Sequence, residues 1–161
     1  MSAPSGLPVR TATPADATAI VDLVNAAFAV EKAFVDGERT SLDEILRLLQ
    51  SGVFLVVDAE DHAQPIVCAY VEQRGFRAYL GMLSVDPSRQ GTGLGRQMMV
   101  AVEQYCRGRR VRSIDIRILS LRPELPPFYR KLNFVEEGTA PYENPKSTKP
   151  GHFLLLSKNL D

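Results

Sequence analysis

The glycine-rich segment Gln90-Gly91-Thr92-Gly93-Leu94-Gly95 is the part of the sequence that points most directly to chemistry. It follows a β-branched run and precedes an amphipathic stretch, so we expect a long helix to begin at Leu94. Glycine lets the backbone approach phosphate oxygens closely, and the free N–H groups and positive dipole end of a helix N-terminus bind them without a lysine. The segment therefore predicts an anion site suited to a pyrophosphate.

Two other phosphate-binding motifs do not fit this segment. No Gly-Lys-Ser/Thr sequence follows to complete a P-loop. The dinucleotide-binding pattern G-x-G-x-x-G also fails, because Arg96 stands where its last glycine is required. Both alternatives are therefore disfavoured.

The sequence around the loop predicts the elements that must position it. Three runs of β-branched and aromatic residues predict successive antiparallel strands at 53–57, 66–72 and 76–85. Apolar residues then recur at helical spacing from Leu94 to Tyr105, so the loop should join the third of these strands to a long helix.

The remaining elements complete a mixed α+β order. Thr13-Pro14 and the capping-box pattern of Ser41 and Glu44 predict the starts of two helices, separated by a polar connector at 31–39. Further predicted elements are an edge strand at 9–12, a strand at 113–119, a short helix at 126–132, a strand pair at 134–137 and 153–157, and an irregular stretch at 138–151. We expect one domain, 1–161, with a mostly antiparallel central sheet flanked by helices.

Composition limits the classes of partner. The 161 residues carry a formal net charge of zero, which gives no general attraction to nucleic acid or anionic lipid. Residues 1–6 do not have the pattern of a secretory signal, and no later apolar run approaches bilayer-spanning length. Cys68 and Cys106 are expected to be reduced packing residues. We expect a cytoplasmic protein that binds no membrane, nucleic acid or metal; a homodimer is compatible with the sequence.

Two motifs resemble those of the GNAT superfamily of N-acetyltransferases. The family's cofactor loop, Gln/Arg-x-x-Gly-x-Gly/Ala, is matched by Gln90, Gly93 and Gly95. The segment 126–134, Pro-Pro-Phe-Tyr-Arg-Lys-Leu-Asn-Phe, is similar to the family's later Phe/Leu-Tyr-x-Lys-x-Gly-Phe motif. Their order and spacing are more specific than either motif alone, whereas the N-terminal half resembles the family only in the order of its elements.

The resemblance implies that acetyl-CoA is the cosubstrate. In the family, the strand before the loop separates from its neighbour, pantetheine enters the gap, and a backbone N–H receives the acetyl carbonyl. Carried to this sequence, the cofactor-binding residues are Leu83, Ser84, Val85, Gln90, Gly91, Thr92, Gly93, Leu94, Gly95 and Arg96.

The resemblance also implies catalytic roles. Tyr129 matches the tyrosine that protonates the departing thiolate, although such a tyrosine is also often a core residue with a satisfied hydroxyl. The strand on which many members carry a glutamate base has no acid in this sequence. Glu72 on the preceding strand is the leading candidate for the base. Further candidates are Glu31, Glu124 and His152, and each of the four also fits a local hydrogen bond or a solvated surface.

Three residues depart from the family pattern: Arg122 and Leu125 replace a common asparagine and alanine, and Asn133 replaces a glycine. Arg122 either removes a cofactor contact or substitutes a charged one, while asparagine tolerates the left-handed conformation expected of glycine. Substrate choice is expected to depend on the connector at 31–40 and the loop at 138–151, which would flank the cleft.

The expected activity is acetyl transfer from acetyl-CoA to a primary amine of a small molecule or peptide, by direct attack in a ternary complex. The alternative is a noncatalytic acyl-CoA-binding or sensor module, which the acid-free strand favours. Both would bind acetyl-CoA, but only the enzyme would release free thiol.

Overall fold

One seven-stranded sheet forms the centre of the computed structural model, which describes residues 7–160. Its strands are β1 (Arg10–Thr11), β2 (Val53–Asp58), β3 (Pro65–Arg74), β4 (Arg77–Val85), β5 (Ser113–Leu119), β6 (Val135–Pro141) and β7 (His152–Asn159). They lie in the order β1-β2-β3-β4-β5-β7-β6, and every adjacent pair is antiparallel except β4 and β5. The predicted mixed, mostly antiparallel sheet is confirmed. The start of the chain at 1–6, where no secretory signal was expected, lies outside the described residues.

Four α-helices flank the sheet: α1 (Ala17–Ala27), α2 (Leu42–Ser51), α3 (Leu94–Gly108) and α4 (Leu125–Arg130). Ser41 caps α2, since its Oγ accepts a hydrogen bond of 3.2 Å from the Glu44 N–H. The Glu44 carboxylate does not complete a capping box, because it accepts the Thr40 hydroxyl at 2.5 Å instead. No helix within residues 7–160 is long and apolar enough to cross a bilayer.

The helices bury apolar stripes on opposite faces of the sheet. On one face, Ile20 and Val24 of α1 and Ile45 of α2 pack with Phe54 of β2 and Tyr70 of β3. On the other face α3 packs against β3 and β4, and its Met98, Met99 and Val102 belong to a core cluster that also contains Ile114 and Ile116 of β5. These residues recur at helical and alternating spacing, which is why the sequence predicted the elements correctly.

The parallel pair β4–β5 holds the sheet together over only three residue pairs: Arg77 with Ser113, Ala78 with Ile114, and Tyr79 with Asp115. Beyond Tyr79 the two strands separate, while β5 stays paired with β7 along its whole length. A bulge interrupts the pairing of β4 with β3, and within it Met82 takes a left-handed φ of 52°. The separation that the family resemblance implied is therefore present.

The last part of the chain is more regular than expected. Strand β6 continues to Pro141 across a register shift between Glu136 and Gly138, so the predicted irregular stretch at 138–151 begins later. Asn133, which stands in place of the family glycine, has a φ of 70°. Asparagine accepts this left-handed conformation, and the departure is structurally mild.

Candidate active site

A cleft of about 650 Å³ runs through the gap between β4 and β5. At one end it is lined by the β4–α3 loop, and at the other by the connector after α1 and the β6–β7 loop. Because the gap opens in the middle of the sheet, the cleft joins the two faces. A long ligand can therefore lie across the sheet with its ends on opposite sides.

The β4–α3 loop presents a row of backbone donors at the start of α3. Gly91 and Gly93 have φ values of 79° and 86°, and a Cβ at either would meet no atom within 4 Å. Among the residues the structure describes, no acceptor is found for the N–H groups from Gly91 to Arg96. The loop is held in place by the Thr92 hydroxyl, which donates to the Arg89 carbonyl at 2.5 Å. Free N–H groups at a helix N-terminus fit a pyrophosphate.

Eight of the ten predicted cofactor-binding residues line this cleft: Leu83, Val85, Gln90, Gly91, Gly93, Leu94, Gly95 and Arg96. Ser84 does not, because its side chain is buried and its Oγ donates to the Met82 carbonyl at 3.0 Å. The Thr92 side chain is likewise turned to its own loop. For these two positions only the backbone is left to bind a cofactor.

Tyr129 of α4 lines the middle of the cleft. Its ring is wedged between Phe128 and Phe134, with centroid distances of 5.0 and 5.6 Å, and only 8% of the residue is exposed. Within residues 7–160 the hydroxyl has no hydrogen-bond partner, and no unpartnered side-chain oxygen is sealed from solvent. The hydroxyl is therefore open to the cleft. Burial, with a smaller effect of Tyr79, raises the pKa of Tyr129 above its ordinary value, so the phenol keeps its proton at neutral pH.

Glu72 lies outside this cleft, in an adjoining pocket of about 350 Å³. Its carboxylate accepts 2.7 Å hydrogen bonds from the Tyr70 hydroxyl and from Arg74 Nε. These two bonds, Tyr70 first, hold the pKa of Glu72 below its usual range. The structure does not bring Glu72 and Tyr129 to the same cavity. It places Tyr79, Gly81 and other residues in the walls of both.

Two other base candidates, Glu31 and Glu124, are tied to Arg122. The Arg122 side chain is only 12% exposed, and Nη1 and Nε bind Glu31 and Glu124 at 2.7 Å each. Burial would raise the pKa of Glu124, but the hydrogen bond and charge of Arg122 outweigh it and the pKa is lowered. His152 is exposed and does not line the cleft.

The connector and the β6–β7 loop both line the cleft, as expected, and they are bonded to each other. Val35 forms a bridge with Ser147, the Asp36 N–H donates to the Lys146 carbonyl at 2.9 Å, and the Thr148 N–H donates to the Phe34 carbonyl at 2.7 Å. This end of the cleft is therefore bounded by two mutually supporting segments.

Sequence reasoning missed Tyr79 and Arg117, which line both cavities. The sequence signal that could have identified them is an aromatic and a charged residue within strands that are otherwise largely apolar. Among residues 7–160, no group of three or more His, Cys, Asp or Glu side chains is arranged to hold a metal ion.

Comparison with known proteins shows the family. Residues 50–136, more than half of the chain, match the model of the acetyltransferase (GNAT) domain. The chain therefore belongs to the GNAT acetyltransferase family, and the expected resemblance is confirmed. No match was found among curated proteins.

Solved structures show the same fold. The ribosomal-protein-S18-alanine N-acetyltransferase from Escherichia coli is 14% identical, with a TM-score of 0.78 over 94% of this chain and 92% of that one. A ribosomal-protein-alanine N-acetyltransferase from Brucella melitensis is 22% identical, with a TM-score of 0.77 over 96% and 100%. An N-acetyltransferase from Staphylococcus aureus Mu50 is 16% identical, with a TM-score of 0.77 over 95% and 98%.

Proposed function

We propose that this protein transfers an acetyl group from acetyl-CoA to a primary amine of a small molecule or peptide, by direct attack in a ternary complex. The observation that carries the proposal is the single cleft that joins the free N–H groups of the β4–α3 loop to the Tyr129 hydroxyl. One ligand can thus be held by its pyrophosphate at the loop and present its thioester near the phenol.

In this proposal, the N–H groups from Gly91 to Arg96 hold the pyrophosphate, while Arg89 and Arg96 line the same end and add positive charge. The β4 edge that turns away from β5 offers unpaired backbone groups to pantetheine. Met82 and Leu83 have no partner in the β3–β4 register, so the backbone at this bulge is a suitable donor to the acetyl oxygen as it becomes negative.

Acetyl transfer to an amine involves three proton movements. A lysine-like ammonium, whose pKa is about 10.4, loses one proton before the neutral amine can attack. The nitrogen loses a second proton as the amide forms, and the departing thiolate gains one, so that one proton is released overall. Tyr129 is the proposed donor to the thiolate, since it is open to the cleft and stays protonated. Glu72 is the proposed base, acting through water from the adjoining pocket.

The alternative is a noncatalytic acyl-CoA-binding or sensor module. It is favoured by the absence of an acid on β4 and by the hydrogen bonds that occupy Glu72. Such a module would use the same loop but would release no thiol.

The test begins with calorimetric titration of the parent, Gly93→Glu and Gly75→Glu by acetyl-CoA. Gly75 is the matched control: its φ is 66°, its Cβ would meet nothing within 4 Å, and it lies in the β3–β4 turn away from the cleft. Both variants add the same charge and a similar backbone strain.

We expect the parent and Gly75→Glu to bind acetyl-CoA and Gly93→Glu to lose binding while it stays folded. A thiol-release assay with added amines then distinguishes the two hypotheses, because an enzyme releases free thiol and a binding module does not. A folded parent that does not bind acetyl-CoA would overturn both the acetyltransferase and the binding-module hypotheses.

A further inference from the structure

The adjoining pocket and the main cleft meet at a shared wall. The residues that line both cavities are Arg39, Tyr79, Gly81, Met82, Ile116 and Arg117. Met82, which follows Gly81, belongs to the bulge of β4 that the proposed function places beside the thioester. An amine that approaches this bulge from the side of α1 and α2 therefore passes these residues.

Three arginines and three carboxylates line the pocket, but one of the arginines forms no ion pair among residues 7–160. Each of its three carboxylates has a basic partner: Glu44 lies 4.0 Å from Arg39, Glu72 is 2.7 Å from Arg74, and Asp115 binds Arg77. Arg77 itself does not line the pocket. Arg117 is the remaining cation, and no carboxylate of residues 7–160 lies within ion-pair distance of it.

The carboxylates at the connector end of the main cleft are also bound by other cations. Glu31 and Glu124 share the single cation of Arg122, and Glu38 pairs with Lys32 at 2.7 Å. Asp36 is left without a salt bridge in the described part of the chain, but Lys146 lies beside it, with Nζ 3.7 Å from where a Cβ of Gly37 would stand. At this end of the cleft, too, Arg117 forms no ion pair with a carboxylate of residues 7–160.

Arg117 is also held in place without using its hydrogen-bond donors. Its guanidinium carbon lies 4.6 Å from the ring centroid of Phe153 on the adjacent strand β7, two residues before Leu155, the register partner of Arg117. No hydrogen bond from its side chain to another of the residues 7–160 is found. A stacked guanidinium keeps its planar set of N–H groups free, which suits two-point binding of a carboxylate.

We propose that Arg117 binds a carboxylate of the acceptor, and that the acceptor is a small amine carrying such a group, as an amino acid does. The inference rests on the proposed transfer of an acetyl group. It disfavours polyamines, whose additional positive charges would lie beside Arg117.

The experiment compares matched amines in a thiol-release assay with acetyl-CoA. The common L-amino acids, β-alanine and 4-aminobutyrate are each paired with their uncharged carboxamide, spermidine is the cationic comparator, and rates are expressed per neutral amine. The variants are Arg117→Gln, Arg117→Lys and the control Arg112→Gln. Arg112 is exposed and lies over Phe76, also at 4.6 Å, but lines neither cavity.

We expect kcat/KM of the parent to favour a carboxylate over its carboxamide by roughly 10- to 100-fold, the range for hydrogen bonds to charged groups. Arg117→Gln should remove this ratio, Arg117→Lys should keep part of it, and Arg112→Gln should keep all of it. Acetyl-CoA affinity should stay the same in each variant. Equal or faster transfer to the carboxamides or to spermidine, or a ratio unchanged by Arg117→Gln, would overturn the inference while leaving acetyl transfer intact.

A parent that binds acetyl-CoA but acetylates no amine would contradict the proposed function instead. In that case, equilibrium dialysis of the N-acetylated amino acids and their carboxamides against CoA-saturated protein decides the inference. Binding that favours the carboxylate in the parent and not in Arg117→Gln supports it. Equal binding of the two forms contradicts it.

Discussion

Two buried tyrosines show how position gives one residue type different roles. The Tyr70 hydroxyl donates to Glu72, and burial followed by that bond raises its pKa. The pKa of Tyr129 is also raised by burial, but its hydroxyl has no partner among residues 7–160 and opens to the cleft. A phenol that stays protonated and unpaired can give its proton to a ligand, whereas one bonded to a carboxylate is occupied. Tyr129 is therefore the better candidate for the general acid.

Tyr129→Phe should lower the rate of acetyl transfer by about 10²- to 10⁴-fold, the usual contribution of general acid catalysis. Acetyl-CoA affinity should change little, because the loop N–H groups are untouched. Steady-state kinetics and calorimetry check the two expectations. Tyr105→Phe is the control, since Tyr105 lies on α3 outside the cleft, and a rate unaltered by Tyr129→Phe at every pH would remove Tyr129 from the mechanism.

The direction of the Tyr129 pKa shift gives a separate prediction. A raised pKa means that the proton is lost only at a pH above the ordinary phenol value of about 10. The transfer rate should therefore rise from roughly pH 7 to 9 as the amine loses its proton, without a fall from ionisation of Tyr129. A pH profile of kcat/KM measures this. A decline below pH 9 that disappears in Tyr129→Phe would contradict the raised pKa.

Glu72→Gln should reduce kcat by about 10²-fold if Glu72 is the base. Its lowered pKa keeps it ionised down to acid pH, so the acid limb of the parent's profile should belong to the amine. Glu124→Gln is the matched comparison, because each carboxylate accepts a 2.7 Å hydrogen bond from an arginine. A larger loss in Glu124→Gln than in Glu72→Gln would move the role to Glu124.

At the scale of elements, the site depends on two features: the separation of β4 from β5, and the link that Arg122 makes between the connector and the segment before α4. The early separation of β4 from β5 opens the cleft, and Arg122 fixes its far wall by joining the 3₁₀ turn at Ala29–Ala33, through Glu31, to the segment before α4. A mostly buried arginine that binds two carboxylates fixes the relative orientation of the segments that carry them. Removal of the cation leaves both carboxylates without their partner.

Arg122→Met should therefore lower the free energy of unfolding by about 1.5–3 kcal/mol, the range for hydrogen bonds to charged groups. It should also raise KM for the amine, because the connector loses its anchor. Urea denaturation and kinetics measure both. In the control Arg130→Met, which breaks the exposed pair of Arg130 with Glu136, the loss should be at most about 1 kcal/mol; equal losses in the two variants would contradict the anchoring role.

At the scale of the whole molecule, the interrupted sheet must still hold its two halves together. The parallel pairing of β4 and β5 covers three residue pairs, and the core between the sheet and α3 supplies the remaining contact. Ile114 is central to both, since it pairs with Ala78 and Lys158 and is fully buried. The assignment of 1–161 to one domain and the homodimer stay predictions.

Ile114→Ala should reduce the free energy of unfolding by about 2–5 kcal/mol, because it leaves a cavity where the two halves meet. Val100→Ala is the control: Val100 lies on α3 but is 50% exposed, so the change should stay within about 0.5 kcal/mol. Denaturant unfolding measures both. A small loss in Ile114→Ala would mean that the halves are not held through this core.

Local sequence determined the elements and the cofactor loop of this protein. Periodicity and capping residues act over a few positions, and so α3, the segments that contribute Gly93 and Tyr129 and the strands other than β6 could be predicted within about two residues. The end of β6 lies four residues beyond its predicted position. The sequence also supplies glycine at 91 and 93, where the backbone takes left-handed φ values of 79° and 86° that glycine adopts without strain.

The contacts between side chains that are distant in sequence were decided only by the tertiary structure. Arg122 binds Glu31 across 91 positions of sequence, Glu72 is directed to Arg74 and away from the cleft, and Arg117 is left without a carboxylate. Strand pairing and ion pairs between distant segments depend on how the whole chain packs, which no local pattern encodes. The sequence therefore determined the loop and the tyrosine, while the tertiary structure decided which charges remain free to meet a substrate.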